Sequence, residues 1–284
     1  MNILSQVSNA PSQYGLRIVI SGQEKTGKTT LACNAPNALL IQLEQGGAAM
    51  RVPKTPQLNS WAEVEQLCEE LIAAAKAGSL QRGSTIIWDS ATALERFIHD
   101  DVLKSDPTYK GKNITKLTME SAHGGYGKAY NIANELFARW TRYQDDLAKY
   151  GGINIIVTCH VFASKMIDPA YGEYMSWDLL LHSPKNEKTY GKREFITQWA
   201  DLVGFLHEPM LVLKAADGEK MSRAVSQNQG RVLAVERTPQ WVAGNRFNIQ
   251  GTIAIPPQNG WNYLAQAIWD KSGIDVFNRE AISA

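Results

Sequence analysis

Residues 22–29 read GQEKTGKT, and no other stretch of the 284-residue chain restricts its fold so tightly. The pattern is G-x-x-x-x-G-K-[ST]. Its glycines let the backbone fold tightly enough for consecutive N–H groups to point at phosphate oxygens, and a helix starting at its end adds a positive dipole. Both flanks fit. Leu16 to Ile20 (LRIVI) is a short apolar run suited to a buried parallel strand, and TTLACNA starts a helix that stops before Pro36. The expected phosphate contacts are therefore Gly22, Gln23, Glu24, Lys25, Thr26, Gly27, Lys28, Thr29 and Thr30. Lys28 would neutralise the β- and γ-phosphates of ATP, and the Thr29 hydroxyl would complete a Mg²⁺ shell.

Strand-like and helix-like segments alternate beyond this loop. Apolar runs at Ala38–Leu43, Thr85–Trp88 and Ile153–Thr158 are separated by helical spacing at residues 60–78, Ala91–Leu103 and Ala129–Tyr150. Ser60 and Glu63 form a capping-box pair, and Gly78 ends the helix they start. Alternation of this kind predicts a mostly parallel, doubly wound sheet. Polar, aromatic and lysine-rich residues fill Ser164–Arg193. Short β-like runs follow at Leu202–Leu206, Leu211–Lys214 and Val232–Arg237, and then a helix over Trp261–Trp269. No linker or repeat divides the chain. One domain over 1–284 is expected, with a core of about 14–215 and a β-rich extension of the same sheet over about 216–284.

Composition narrows the partners little. A formal charge of +1 gives no whole-molecule field toward nucleic acid or membrane, so attraction to a polyanion must be local. Cys33, Cys68 and Cys159 are widely spaced and read as reduced thiols. The first residues carry no signal-peptide pattern and no run is long enough to span a membrane, so a cytoplasmic protein is expected.

Three further residues suit phosphate chemistry. Asp89 ends the TIIWD run, where an acid can orient a metal-bound water. The arrangement resembles P-loop ATPases that carry a catalytic glutamate, often next to this aspartate; Ser90 stands there instead, and Glu44 is the substitute that the resemblance implies. Glu44 ends the strand inserted between the phosphate-loop strand and the Asp89 strand in sequence, and parallel strands bring their carboxyl ends to one edge. His160 follows IIVTC at the same edge.

The placement of Glu44 with the Asp89–Ser90 pair resembles RecA-type recombinases. The series GQEKTGKTT, LEQGG, IIWDSATALE, HGGYGKAY, VTCH and AGNR, spread over nearly the whole chain, resembles the phage-encoded RecA-core ATPases of the Sak type. The resemblance implies a RecA-like P-loop NTPase fold, Mg²⁺-dependent ATP hydrolysis, and recombination or annealing of single-stranded DNA by a homo-oligomer in the host cytosol. It also implies a phage or host single-strand binding protein as a candidate partner. By the same resemblance His160 would sense the γ-phosphate, and Arg246 would reach a neighbouring subunit's γ-phosphate in trans. The family carries a lysine two residues before that arginine, where Gly244 stands here.

Two stretches offer cations interleaved with aromatics for an unpaired strand. One holds Lys104, Tyr109, Lys110, Lys112 and Lys116. The other holds Lys165, Tyr171, Tyr174, Trp177, Lys185, Lys188, Tyr190, Lys192 and Arg193. An ATPase that moves protein partners without touching DNA is the alternative. A nucleotide kinase is disfavoured by the inserted strand, by Glu44 and by the want of an Arg-rich lid.

Overall fold

A computed structural model describes residues 7, 14–109, 117–170, 172–184, 190–213, 223–226 and 230–276. Lys110, Lys112, Lys116, Tyr171, Lys185, Lys188 and Lys214 lie outside them.

The phosphate-loop strand β1 (Arg17–Ser21) is followed by α1 (Lys28–Cys33), β2 (Ala38–Gln42), α2 (Trp61–Lys76), β3 (Thr85–Asp89), α3 (Ala91–Lys104), α4 (Lys128–Gly151) and β4 (Asn154–Cys159). Two strands pairing only with each other come next, β5 (Val161–Asp168) and β6 (Gly172–Leu179), then α5 (Lys192–Trp199) and β7 (Leu202–His207). The remaining elements are β8 (Met210–Leu213), β9 (Arg223–Ser226), β10 (Arg231–Ala234), β11 (Gly244–Asn245), β12 (Thr252–Ile255) and α6 (Gly260–Ser272).

The main sheet runs β12-β10-β7-β1-β4-β3-β2, with β11 also on β7. Every pair from β7 to β2 is parallel, while β10, β11 and β12 join antiparallel. The expected fold class is observed: a mixed α/β, mostly parallel sheet of the P-loop NTPase kind, with the C-terminal strands extending that sheet. β3 and β4 are buried along their whole length, which is why they read as unbroken apolar runs. Alternation along β1 sends Val19 to a core shared with α2, α3 and α4, and Ile18 and Ile20 to one shared with α1 and α6. In the first core the Trp88 indole packs edge-on against Trp140 and donates to Gln144 Oε1 at 2.8 Å, which satisfies a polar group buried under the sheet.

Two sequence expectations change. Over Ser164–Arg193 the chain builds most of the β5–β6 hairpin and the first two residues of α5 rather than one loop. The hairpin is in strict antiparallel register, Lys165 opposite Met175 and Ile167 opposite Glu173. Its base is fixed where Trp177 exchanges backbone hydrogen bonds with the 240–242 segment. The run expected over Val232–Arg237 ends as a strand at Ala234; one more bond in register with β12 follows, from the Val235 amide to the Gly251 carbonyl, while β11 takes over the β7 edge at Leu202 and Val203. No helix among the described residues is long and apolar enough to cross a membrane.

Candidate functional site at the carboxyl edge

All parallel strands point their carboxyl ends to one edge, and the loop after β1 lies there. A Cβ on Gly22 would fall 2.5 Å from the Leu206 carbonyl oxygen, so β7 leaves no room for a side chain at that turn. Gly27 has φ 92°, the left-handed region that glycine tolerates, and starts α1 by accepting from Leu31 N at 2.9 Å. Thr26 Oγ1 closes the loop on the Gln23 carbonyl at 2.9 Å. Lys28 is buried, and its ammonium donates to the carbonyls of Gly22 at 2.9 Å and Gln23 at 2.8 Å. Burial lowers its pKa, and Asp89 works in the opposite direction. Two neutral carbonyls leave that charge unbalanced, as a phosphate-binding cation requires.

The Thr29 hydroxyl donates to Asp89 Oδ2 at 2.9 Å, and Thr158 Oγ1 donates to Asp89 Oδ1. Burial holds the Asp89 carboxyl above its usual range, against the pull of those two hydroxyls and of Lys28. A hydroxyl and a carboxylate at this separation are hard oxygen donors, the kind Mg²⁺ takes when phosphates and water complete its shell. Among the described residues no group of three or more His, Cys, Asp or Glu side chains gathers as a metal cage. Thr29 and Asp89 thus fit a metal shared with phosphate oxygens. Such an ion would offset charge developing on the phosphates.

Glu44 stands one residue past the point where the Leu43 amide, bonded to the Asp89 carbonyl, prolongs the pairing of β2 and β3. Its Oε1 lies 3.0 Å from His160 Nε2, and its Oε2 lies 3.5 Å from Arg96. Burial alone would raise this carboxyl. His160, Ser90 and Arg96 outweigh burial and leave its pKa lowered. The His160 backbone is fixed in turn by Thr92 Oγ1, which accepts from its amide at 3.3 Å. His160 Nδ1 is buried without a partner among the described residues.

The arrangement gathers a cation, a hydroxyl–carboxylate pair and an ionised carboxylate around one phosphate-sized loop. Residues 14–247 match the family model of an AAA domain. The chain belongs to that AAA-domain family. The family suggests nucleotide-binding ATPase activity for this chain. No curated protein matches the chain as a relative. The AAA-domain match runs past residue 215, where the sequence placed the end of the core, and takes in β10 and β11.

Within the AAA domain the candidate residues separate into two places. Gly22 to Thr30, Glu44, Asp89 and His160 meet at the carboxyl edge, with the side chains of Gln23, Glu24 and Lys25 on the exposed rim of the loop. Arg246 does not join them. Its amide donates to the Asp201 carbonyl, Nη1 to Asp201 Oδ1 at 3.1 Å and Nη2 to the Gln198 carbonyl at 2.6 Å, beside Arg17 at the start of β1. That is the amino edge of the sheet.

Thr158 and Arg96 were missed by sequence reasoning. Period-two alternation puts Thr158 on the strand face of His160, so the VTCH run did carry a signal for it. For Arg96, on an exposed helical turn, the sequence held none.

Proposed function

We propose that the protein binds ATP with Mg²⁺ through Gly22–Thr30, hydrolyses it, and couples the cycle to single-stranded DNA as an oligomer, in the manner of the Sak-type recombinases it resembles. One observation carries the ATPase part: Lys28, Thr29 and Asp89 are joined by hydrogen bonds at one loop, and Glu44, from a third strand end, lies close enough to act on the charges of Lys28 and Asp89. Glu44 takes a proton from water as the water oxygen attacks the γ-phosphorus. The bond to the bridging oxygen breaks, and ADP leaves with its electron pair. Lys28 holds the β- and γ-phosphate charge. His160 restrains Glu44, and a γ-phosphate oxygen competing for its N–H would release the carboxylate. Arg246 lies away from its own loop, as a residue serving a neighbour must, and this supports the trans reading.

The DNA part draws support from Tyr126, 98% exposed in the GGYG turn before α4, and from a cleft of about 710 Å³ beside it. Tyr130 and His182 line that cleft, stacked at 3.8 Å, and aromatic faces accept unpaired bases without sequence preference. A second reading, a partner-driven ATPase, is favoured by the hairpin. Ile167 and Met175 are 76% and 61% exposed on one of its faces, and Lys165 is neutralised by Glu173 at 2.6 Å.

ATP turnover measured with and without single-stranded DNA, over a salt series, separates the two. Stimulation with salt-sensitive binding supports the DNA reading. Unchanged turnover with no binding at low salt leaves the partner-driven ATPase.

A further inference from the structure

Arg231 opens β10, across β1 from the strands that carry Asp89 and Glu44. Its Nη1 donates to the Thr26 carbonyl at 3.2 Å. A Cβ built on Gly27 would fall 1.7 Å from that same nitrogen. The guanidinium therefore lies directly against the last glycine of the phosphate loop, where the amides of Gly27 and Lys28 begin the helix. Among the described residues Arg231 forms no ion pair, and a neutral carbonyl leaves its charge unbalanced.

The flanks of β1 give the phosphate chain a direction. Asp89 and Glu44 lie on the β4–β3–β2 side, so the γ-phosphate end must face them. β7 and β10 lie on the opposite side. A chain of phosphates laid over the start of α1 thus turns its α end toward β10.

We infer that Arg231 is a nucleotide-binding residue that contacts the α-phosphate side of a bound nucleoside di- or triphosphate. The C-terminal strands then complete the nucleotide site as well as widening the sheet. This rests on the phosphate-loop reading proposed above. The competing role is a brace, in which Arg231 only donates to Thr26 and never meets the ligand.

Equilibrium titrations with Mg²⁺–ADP and with a non-hydrolysable Mg²⁺–ATP analogue decide between them. Arg231→Gln keeps a donor for the Thr26 carbonyl and removes the charge. It is expected to weaken both nucleotides by a similar factor, on the order of tenfold or more, as loss of a charge-assisted contact would. Arg231→Lys keeps the charge without the fork and should weaken both nucleotides by roughly three- to fivefold, less than Gln but clearly below wild type; it also serves if Arg231→Gln does not fold. A Gln or Lys variant binding both ligands within about twofold of wild type, small against a charge-assisted contact, overturns the inference, and so does a loss confined to the triphosphate. Wild-type protein that binds neither nucleotide would instead remove the ATPase reading itself.

Discussion

Burial raises the Asp89 pKa, while Thr158, Thr29 and Lys28 hold it down. Replacing Thr158 with Val keeps the shape and deletes one of those donors. The carboxyl then moves further up, and the acid limb of ATP turnover against pH should move up with it. The loss grows toward acid pH, since a protonated Asp89 cannot hold a cation. A pH–rate profile superimposable on wild type would show that Asp89 plays no ionised role. Glu44 gives a different signature. Glu44→Gln retains a hydrogen-bonding partner for His160, so nucleotide affinity should change little, while turnover falls by roughly 10²–10⁴-fold. Normal turnover in that variant removes Glu44 from the reaction. At this scale the sequence was readable wherever chemistry dictates residue type and spacing, as in GQEKTGKT or an acid closing an apolar run. It was silent on Arg96, whose place beside Glu44 depends on how α3 leaves β3.

Elements were legible in proportion to burial. β1 to β4 and β7 are continuous apolar runs because both faces of a parallel sheet are covered, and their ends were read to within a residue or so. The β5–β6 hairpin was not, since its exposed face carries the apolar Ile167 and Met175, which removes the period-two contrast from the sequence. α5 was hidden for another reason: its first residue is a lysine placed by tertiary contacts. Lys192 is buried, 3.4 Å from Glu95 and 3.1 Å from His99 Nε2, which ties α5 to α3. Desolvation, and then the Lys192 charge, push the His99 pKa down to about 3 and that of His182 to about 4. Both are depressed below their unfolded value of 6.5. The unfolded chain therefore binds protons in acid that the folded chain refuses. Their stabilisation is complete above pH 6.5 and is lost as pH falls toward 4. His99→Gln removes one of these groups. Urea midpoints measured at pH 7.5 and pH 5 should differ less for that variant than for wild type, and an equal difference would mean that His99 is protonated in the fold.

At the scale of the whole molecule the candidate residues divide between two edges of the sheet, and nothing in the sequence set Arg246 apart from the others. Strand order is not written along a chain: β4 comes last of the first four strands, yet it inserts between β1 and β3 and so brings His160 against Glu44. The same order sends Arg246 to the amino edge, about 15 Å from the loop if β1 rises by ~3.3 Å per residue. An arginine there cannot serve its own nucleotide, but a head-to-tail neighbour could present it to the next loop. Subunit mixing tests this in both directions. Lys28→Ala lacks a competent loop and keeps Arg246, while Arg246→Ala keeps the loop and lacks the finger. Each alone should be inactive. Mixed in equal amounts and allowed to exchange, they should recover activity in roughly a quarter of the subunits, those pairing an intact loop with an intact neighbouring arginine across a heterologous interface. If Arg246 only braces Asp201 and Gln198 within its own chain, the mixture stays as inactive as its parts.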